Sequence, residues 1–275
     1  MSVKDTIKRL EVPNVALNAE QLQRLARLVA QYPYFQGIIL HAQPFDIPFY
    51  GMALTLMLKN FRRPVVLYCQ EDQAEEAERW AVKEISGIFT LGSDGFDLAC
   101  RTTCSPWGRV CSPFYPPVGR TDGWTYDIFD HLLPPAGEDP FLLCDAMNDN
   151  VAQIFPGDTL ADREDVFQRS GVLIKLDVFS RDRIWLLEEQ RSALVKLHRK
   201  GIPVVVAGLP KAINDPHTRR LLLLSGVIPA GDMTREAALV KLMWTLARTT
   251  SINGVRMYFS LSFGGEVTQR EGVEF

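Results

Sequence analysis

Short runs of consecutive apolar residues alternate with amphipathic stretches along most of this chain of 275 residues. A strand buried on both faces reads as a continuous apolar run, whereas the helices that cover it carry apolar residues at a helical spacing. The alternation therefore predicts β-α-β units around parallel sheets. In the first half of the chain the pattern predicts helix 18–31, strand 37–41, helix 49–60, strand 64–69, helix 74–85 and strand 87–91.

The pattern lapses between residues 101 and 150, where Pro, Gly, Asp and aromatic residues are frequent. Two Pro-Pro pairs in this segment block helices and weaken strand pairing, so we expect a connector with one short strand at 141–144. The connector marks a domain boundary. The expected domains are an amino-terminal one, 1–135 with the connector from about 105, and a carboxyl-terminal one, 136–275.

The alternation resumes after the connector and ends in a mostly helical region. Gly201 stands where a glycine commonly ends a helix. Asp232 and Thr234 supply oxygen side chains just before the run REAALVKLMWTLAR, which predicts a helix with an amino-terminal cap. The second half is predicted to contain strand 151–155, helix 160–169, strand 171–176, helix 184–199 and strand 203–207.

Composition and charge exclude several classes of function. A formal net charge of −3 and a sequence pI near 5.9 provide no basic field for nucleic acid, so no nucleic-acid partner is expected. No apolar run approaches the roughly 20 residues that span a bilayer, and the first residues lack the apolar region of a signal peptide. We therefore expect no membrane partner and a cytoplasmic location.

The five cysteines are too few for a disulfide scaffold in a chain of this size. Cys100, Cys104 and Cys111 cluster in sequence, but their spacing is not that of paired metal ligands, and no His lies close to them. Ordinary thiols are therefore expected, and no metal. No Gly-rich phosphate loop occurs, and no cofactor is expected.

The segment GVIPAGDMTREAALVKLMWTLAR, followed by VRMYFSLSFGGEV, resembles the carboxyl-terminal end of one known family. This is the asparaginase/glutaminase family, and in particular its cytoplasmic type I branch. AQIFPGDTL resembles the opening of its second domain, RKGIPVVV a later strand, and SPFYPPVG its connector. The resemblance implies a two-domain α/β fold. It pairs a flavodoxin-like parallel or mixed sheet in the first domain with a smaller parallel sheet in the second.

The same resemblance shows that the expected catalytic loop has changed. The family carries His-Gly-Thr-Asp-Thr-Met between a strand and a helix, and His41, Leu54 and Pro64 keep the flanking pattern here. The loop itself reads HAQPFDIPF, so no Thr or Ser occurs between His41 and Leu54. Asp46 is the only carboxylate that could replace the family's Asp, although it is more readily interpreted as the cap of the helix expected from about Phe49.

Four other segments of the family's site are missing or altered. No counterpart of the Thr-Gly-Gly-Thr-Ile turn, or of the first strand before it, occurs ahead of Ala30. The Asp-Ser that holds substrate is replaced by the residues from Pro13 to Ala16, and the Tyr-Gly-x-Gly-Asn-Ala-Pro turn by DVFSRDRIW. At the place of the family's Lys, Arg101 is followed by Thr102, Thr103 and then Cys104.

These losses predict a noncatalytic homologue, because amide hydrolysis by this route needs a hydroxyl nucleophile, its activating groups and oxyanion donors. The remnant pocket is expected to comprise His41, Gln43, Asp46, Arg101 and Cys104. Such a protein could serve as a structural or regulatory subunit, as a homo-oligomer or beside a partner, or as a sensor of a small amino-acid-like ligand. The alternative is an active L-asparaginase-type amidohydrolase with relocated residues, in which Cys104 and His41 would form the reactive pair.

Overall fold

The computed structural model of the chain describes nine segments of the sequence. These are residues 6–12, 18–93, 95–113, 115–121, 125–133, 138–155, 158–176, 190–208 and 225–267. The chain divides into two compact units, the first made of residues 1–146 and 263–266 and the second of 147–262 and 267–275.

The first unit is organised around a sheet of seven strands in the order β1-β2-β4-β5-β6-β9-β10. The four strands β1, β2, β4 and β5 pair in parallel, and the remaining pairs are antiparallel. The strands of this unit are β1 (Ile7–Glu11), β2 (Gly37–His41), β3 (Leu58–Lys59), β4 (Pro64–Tyr68), β5 (Gly87–Leu91), β6 (Phe96–Leu98), β7 (Thr103–Cys104), β8 (Val110–Cys111), β9 (Gly119–Thr121), β10 (Tyr126–Ile128) and β11 (Leu142–Leu143).

Three α-helices connect the parallel strands of the first unit. They are α1 (Ala19–Ala30), α2 (Ile47–Met57) and α3 (Ala74–Ala81). Nearly every residue of α2 is buried, as expected for a helix that is apolar on all sides. Gly51 permits its close approach to the 3₁₀ turn Ala99–Arg101, because a Cβ at Gly51 would lie 2.5 Å from the Cβ of Ala99.

Two expectations for the first unit need correction. β1 was not predicted, because its apolar residues alternate with exposed ones along an edge of the sheet. The connector is more regular than expected, since β9 and β10 from it extend the main sheet and β7 pairs with β8. Strands of two or three residues are too short to show an apolar period. The short strand expected at 141–144 is found as β11, paired with β3.

The second unit contains a four-stranded, fully parallel sheet in the order β12-β13-β14-β15. Its strands are β12 (Val151–Ile154), β13 (Gly171–Lys175), β14 (Val204–Ala207) and β15 (Ile228–Pro229). Its α-helices are α4 (Arg191–Arg199), α5 (Arg235–Leu246) and α6 (Ile252–Ser260). The predicted α/β class with parallel and mixed sheets is confirmed.

In the second unit, one predicted helix ends where expected and another is replaced by 3₁₀ turns. Gly201 has the expected left-handed backbone, with φ +75°, after α4. Residues 160–169 form two 3₁₀ turns, Leu160–Asp162 and Glu164–Gln168, instead of the predicted α-helix. The Gln190 side chain accepts the Leu160 N–H at 2.6 Å, and this tertiary contact replaces a bond within a helix. The first part of predicted helix 184–199 and the altered turn DVFSRDRIW fall outside the described residues.

Candidate functional site

The carboxyl end of β2 is followed by a single tight turn that leads into α2. The Gln43 carbonyl accepts the N–H groups of Asp46 at 3.0 Å and Ile47 at 3.2 Å. The Ala42 N–H donates to the Tyr68 carbonyl at 3.0 Å, which extends the pairing of β2 with β4 into the loop. The Gln43 side chain is exposed. The loop is thus held mainly by its own backbone.

His41, the last residue of β2, packs against β4 and the turn after it. Its ring stacks on Tyr68, with centroids 5.1 Å apart, and its Nδ1 lies 3.9 Å from a carboxylate oxygen of Glu71. Among the described contacts, the His41 imidazole meets Tyr68 and Glu71, and none of these contacts joins it to Cys104. The ring is only partly exposed and is oriented by both partners.

Asp46 occupies the cap position of α2, but its carboxylate makes no capping hydrogen bond. The helix begins at Ile47, earlier than expected, and Asp46 already has helical backbone angles, φ −91° and ψ −24°. A capping side chain normally requires an extended backbone. Asp46 therefore stands at the start of the helix, as predicted, but does not make the predicted capping hydrogen bond. Instead the Asp46 carbonyl accepts the Phe49 and Tyr50 N–H groups at 3.1 and 3.0 Å.

Burial perturbs the two ionisable groups at the start of α2. It raises the pKa of Asp46 above its ordinary value. It also raises the pKa of Tyr50 to about 12, with a smaller contribution from the negative charge of Asp46. Tyr50 therefore keeps its phenol proton at neutral pH.

The Arg101 side chain contacts a backbone carbonyl and an aromatic ring of the first unit. Its Nε donates to the Gly265 carbonyl, and its guanidinium lies 4.2 Å from the centroid of the Tyr115 ring. The Arg101 carbonyl also accepts from the Ser112 hydroxyl at 3.5 Å. These contacts fix the position of the side chain through backbone and aromatic partners.

Cys104 lies in the small hairpin formed by β7 and β8, opposite Val110. Its Sγ lies 3.4 Å from the Ser105 carbonyl, to which it can donate. The turn is closed by bonds from the Gly108 N–H to the Ser105 carbonyl at 3.0 Å, and from the Arg109 N–H to the Ser105 hydroxyl at 3.1 Å. The hairpin is therefore a locally satisfied unit.

Threonine hydroxyls around these elements were not recognised from the sequence as part of the site. The Thr90 hydroxyl, fully buried in β5, donates to the Leu67 carbonyl at 3.2 Å. Thr55 donates to the Gly51 carbonyl at 2.7 Å, and Thr102 to the Ala99 carbonyl at 2.8 Å. All three hydroxyl protons are therefore directed at backbone oxygens, and Thr90 and Thr102 are also closed off from solvent.

The sequence predicts that the cysteines are ordinary thiols that bind no metal. The five cysteines, all within the described segments, form no disulfide. Cys100 is buried, with Sγ 3.4 Å from the Gly264 carbonyl, and burial raises the pKa of its thiol to about 12. Among the residues placed by the structure, no three His, Cys, Asp or Glu side chains converge as metal ligands would.

None of the helices in the described segments is both long and apolar enough to cross a bilayer.

Comparisons with known proteins agree with the fold. Over 92% of its length the chain superposes on the thermostable L-asparaginase from Thermococcus kodakarensis, with a TM-score of 0.74, 23% identity and 82% of that chain covered. No family model matches the sequence. The structural match establishes the two-domain fold.

Two curated relatives add matches in sequence. A glutamyl-tRNA(Gln) amidotransferase subunit from Thermococcus kodakarensis is 43% identical over 267 residues, which cover 84% of this chain and 59% of that protein. L-asparaginase from the same organism is 49% identical over 49 residues, covering 18% of this chain and 15% of that protein. The chain spans less than two thirds of the curated relatives that it matches. The matches in structure and sequence nevertheless confirm the predicted resemblance.

Proposed function

We propose that this asparaginase-like protein lacks amidohydrolase activity and acts as a structural, regulatory or ligand-sensing subunit. The remnant pocket is proposed to comprise His41, Gln43, Asp46, Arg101 and Cys104. The protein is also proposed to act in the cytoplasm, a reducing compartment that suits a chain whose cysteines form no disulfide in the described segments.

The observation that carries this proposal is that the loop after β2 has no hydroxyl side chain, while three threonine hydroxyls of the first unit bond to backbone carbonyls. The loop from His41 to Phe49 contains no Ser or Thr. The hydroxyls of Thr55, Thr90 and Thr102 donate to backbone carbonyls. A nucleophilic hydroxyl must instead donate its proton to a base, and such a step is unavailable to these groups as they are placed.

The remaining pocket candidates also have structural contacts. Arg101 donates to a backbone carbonyl and stacks on Tyr115. Burial raises the pKa of Asp46, and its carboxylate makes no capping hydrogen bond at the start of α2. A loss of the catalytic unit is expected to remove most of the turnover, since groups that act together contribute non-additively.

An active amidohydrolase with relocated chemistry is the second candidate, and the sequence match to an L-asparaginase favours it. The reaction would require attack by the Cys104 thiolate, with His41 as the base. Such a pair needs its atoms within about 3 Å, or joined through one water. The described contacts of the His41 ring are with Tyr68 and Glu71.

A role as a partner subunit is supported by the match to a protein described as an amidotransferase subunit. A second copy of this chain is the other proposed partner. Sedimentation of the purified chain separates the two: a stable dimer or tetramer supports self-association, and a monomer supports a subunit that needs a different partner. A small amino-acid-like ligand is proposed for the sensing role, and a thermal-shift screen with amino acids tests it.

Ammonia release is the experiment for the main proposal. The purified chain is incubated with L-asparagine and, separately, with L-glutamine, and ammonia is measured against a blank without protein. Release at the blank rate supports the proposal. Release above the blank that disappears in Cys104→Ala and in His41→Ala would establish the alternative.

A further inference from the structure

Lys175, the last residue of β13, is a buried cation in the second unit. Only 9% of the residue is exposed, and its Nζ lies 5.0 Å from the centroid of the Phe155 ring. No hydrogen bond or ion pair to Lys175 is found in the described segments. Lysine is almost never fully buried in proteins unless it is paired, so this side chain calls for a partner.

The aromatic neighbour of Lys175 is held in place by a network of side-chain contacts. The Phe155 N–H donates to the Asp158 carboxylate at 3.0 Å. The Gln190 amide donates to the Asp158 carbonyl at 2.8 Å, and its oxygen accepts the Leu160 N–H at 2.6 Å. These bonds hold the backbone of Phe155 and Asp158 in place. The Phe155 side chain is half exposed, which leaves apolar surface beside the ammonium.

The first turn of α5 lies at the carboxyl edge of this sheet, because α5 follows β15, a strand that runs parallel to β14 and β13. Thr234 caps this helix by accepting the Ala237 N–H at 3.2 Å, and the next two residues are Arg235 and Glu236. Burial, more than any charge, lowers the pKa of Lys175, while Glu236 acts to raise it and Arg235 to lower it. The charges of Arg235 and Glu236 therefore reach the ammonium, and the start of the helix adds partial positive charge.

The residue after β14 is Gly208, which has no side chain at this edge of the sheet. Gly208 has φ +93°, and a Cβ there would lie 2.4 Å from the Leu176 carbonyl. The residue next to Lys175 is therefore covered by bare backbone. The remaining exposure of Lys175, 9% of the residue, leaves it in contact with solvent.

We propose that the carboxyl edge of the second sheet binds a small carboxylate, with the Lys175 ammonium as its ion-pair partner and the start of α5 beside it. Backbone N–H groups at a helix start favour anions. The negative charge of Glu236 acts on Lys175, and it disfavours a phosphate dianion more than a monocarboxylate. The exposed part of Phe155 favours a carboxylate with an apolar body. The site lies in the second unit and does not depend on the loss of hydrolase activity.

Thermal unfolding of three proteins tests this site. Wild type, Lys175→Met and Lys200→Met are heated with sodium benzoate, acetate, phosphate or chloride at one ionic strength. Methionine keeps the apolar stem of lysine without its charge. Lys200 is a matched control, because its Nζ also lies over a phenylalanine ring, that of Phe167 at 5.2 Å, but the residue is exposed.

The expected result is a saturable rise in Tm with benzoate and a smaller one with acetate, in wild type and in Lys200→Met. Lys175→Met should show no rise beyond that in chloride. An equal rise in Lys175→Met, or no rise with either carboxylate in wild type, would overturn the site. A rise with phosphate as large as that with benzoate would overturn its preference for a monocarboxylate.

Acylation of wild type provides a test that survives if Lys175→Met fails to fold. The native protein is treated briefly with an N-hydroxysuccinimide acetate ester, with and without benzoate, and modified peptides are quantified by mass spectrometry. Benzoate should slow acetylation of Lys175 severalfold and leave the rate at Lys200 unchanged. Equal rates at Lys175 with and without benzoate would contradict the proposal.

Discussion

Arg101 and Gly265, which are 164 positions apart in the sequence, are joined by a hydrogen bond from the Arg101 Nε to the Gly265 carbonyl. Gly265 has φ +91°, and a Cβ there would approach the Arg101 guanidinium to 3.1 Å. The turn that carries Gly265 is closed by the fully buried Glu266 carboxylate, which accepts the Phe263 N–H. Arg101, which the sequence analysis assigns to the remnant pocket, thus holds the turn around Gly265 in place within the first unit.

Arg101→Ala is expected to lower the free energy of unfolding by about 1.5–3 kcal/mol, the range for a hydrogen bond to a charged group. Arg101→Lys should recover part of this loss, because lysine keeps the charge but cannot stack as a planar guanidinium on Tyr115. Chemical denaturation measures both. The exposed Arg109→Ala is the control and should stay within about 0.5 kcal/mol of wild type. Equal effects of Arg101→Ala and Arg109→Ala would refute a stabilising role for the hydrogen bond from Arg101 to Gly265.

Cys100 is expected to resist alkylation in the native protein. Burial and, to a smaller extent, the nearby Glu266 charge raise the pKa of its thiol to about 12, so the reactive thiolate is scarce at pH values near 8. Iodoacetamide at about pH 8 should leave Cys100 unmodified before denaturation and modify it afterwards. Peptide mass spectrometry gives the extent, with the partly exposed Cys144 as an internal comparison. Rapid native alkylation of Cys100 would show that this burial is wrong.

Asp46→Asn is expected to stabilise the protein at neutral pH. Because burial raises the folded-state pKa of Asp46 above 3.8, the stability from its neutral form is present below that value and is lost as the pH rises through the folded-state pKa. Asparagine cannot ionise, so the variant should exceed wild type in unfolding free energy near neutral pH and converge with it at about pH 3. Denaturation at several pH values measures the difference. The exposed Asp127→Asn is the matched control and should stay within about 0.5 kcal/mol of wild type.

Thr234→Ala is expected to destabilise the second unit through the start of α5. The Thr234 hydroxyl accepts the Ala237 N–H at 3.2 Å in a buried position, and loss of such a cap costs about 1 kcal/mol, in a range of about 0.5–2. Thr234→Ser keeps the oxygen and should recover most of the loss. If the serine variant is as unstable as the alanine variant, packing of the threonine methyl group and not the cap determines the cost.

The sequence predicts those parts of the fold in which burial and local chemistry agree. Strands β2 and β5 have the predicted bounds, because their apolar residues are contiguous and both lie inside the sheet. Asn18, which accepts the Gln21 N–H at 2.9 Å, caps α1 just where helix 18–31 was predicted to begin. β1 was missed because an edge strand with one exposed face shows only weak alternation.

The site is less predictable because its residues take partners from distant parts of the chain. The bond from Arg101 to Gly265 and the stacking of His41 on Tyr68 depend on tertiary packing. The bond from Leu160 to Gln190, which accompanies 3₁₀ turns in place of a helix, depends on it as well. Sequence could show that no hydroxyl remained in the loop after β2. It could not show that Thr90 donates its proton to a backbone carbonyl.

Single-turnover ammonia release tests the central claim most directly. Protein at high concentration is mixed with an equal concentration of L-asparagine or L-glutamine, so that one slow cycle per chain can be detected. We expect ammonia to stay at the level of the protein-free blank, and Cys104→Ala and His41→Ala to give the same result. Ammonia that approaches one equivalent per chain, and that is lost in either variant, would contradict the account.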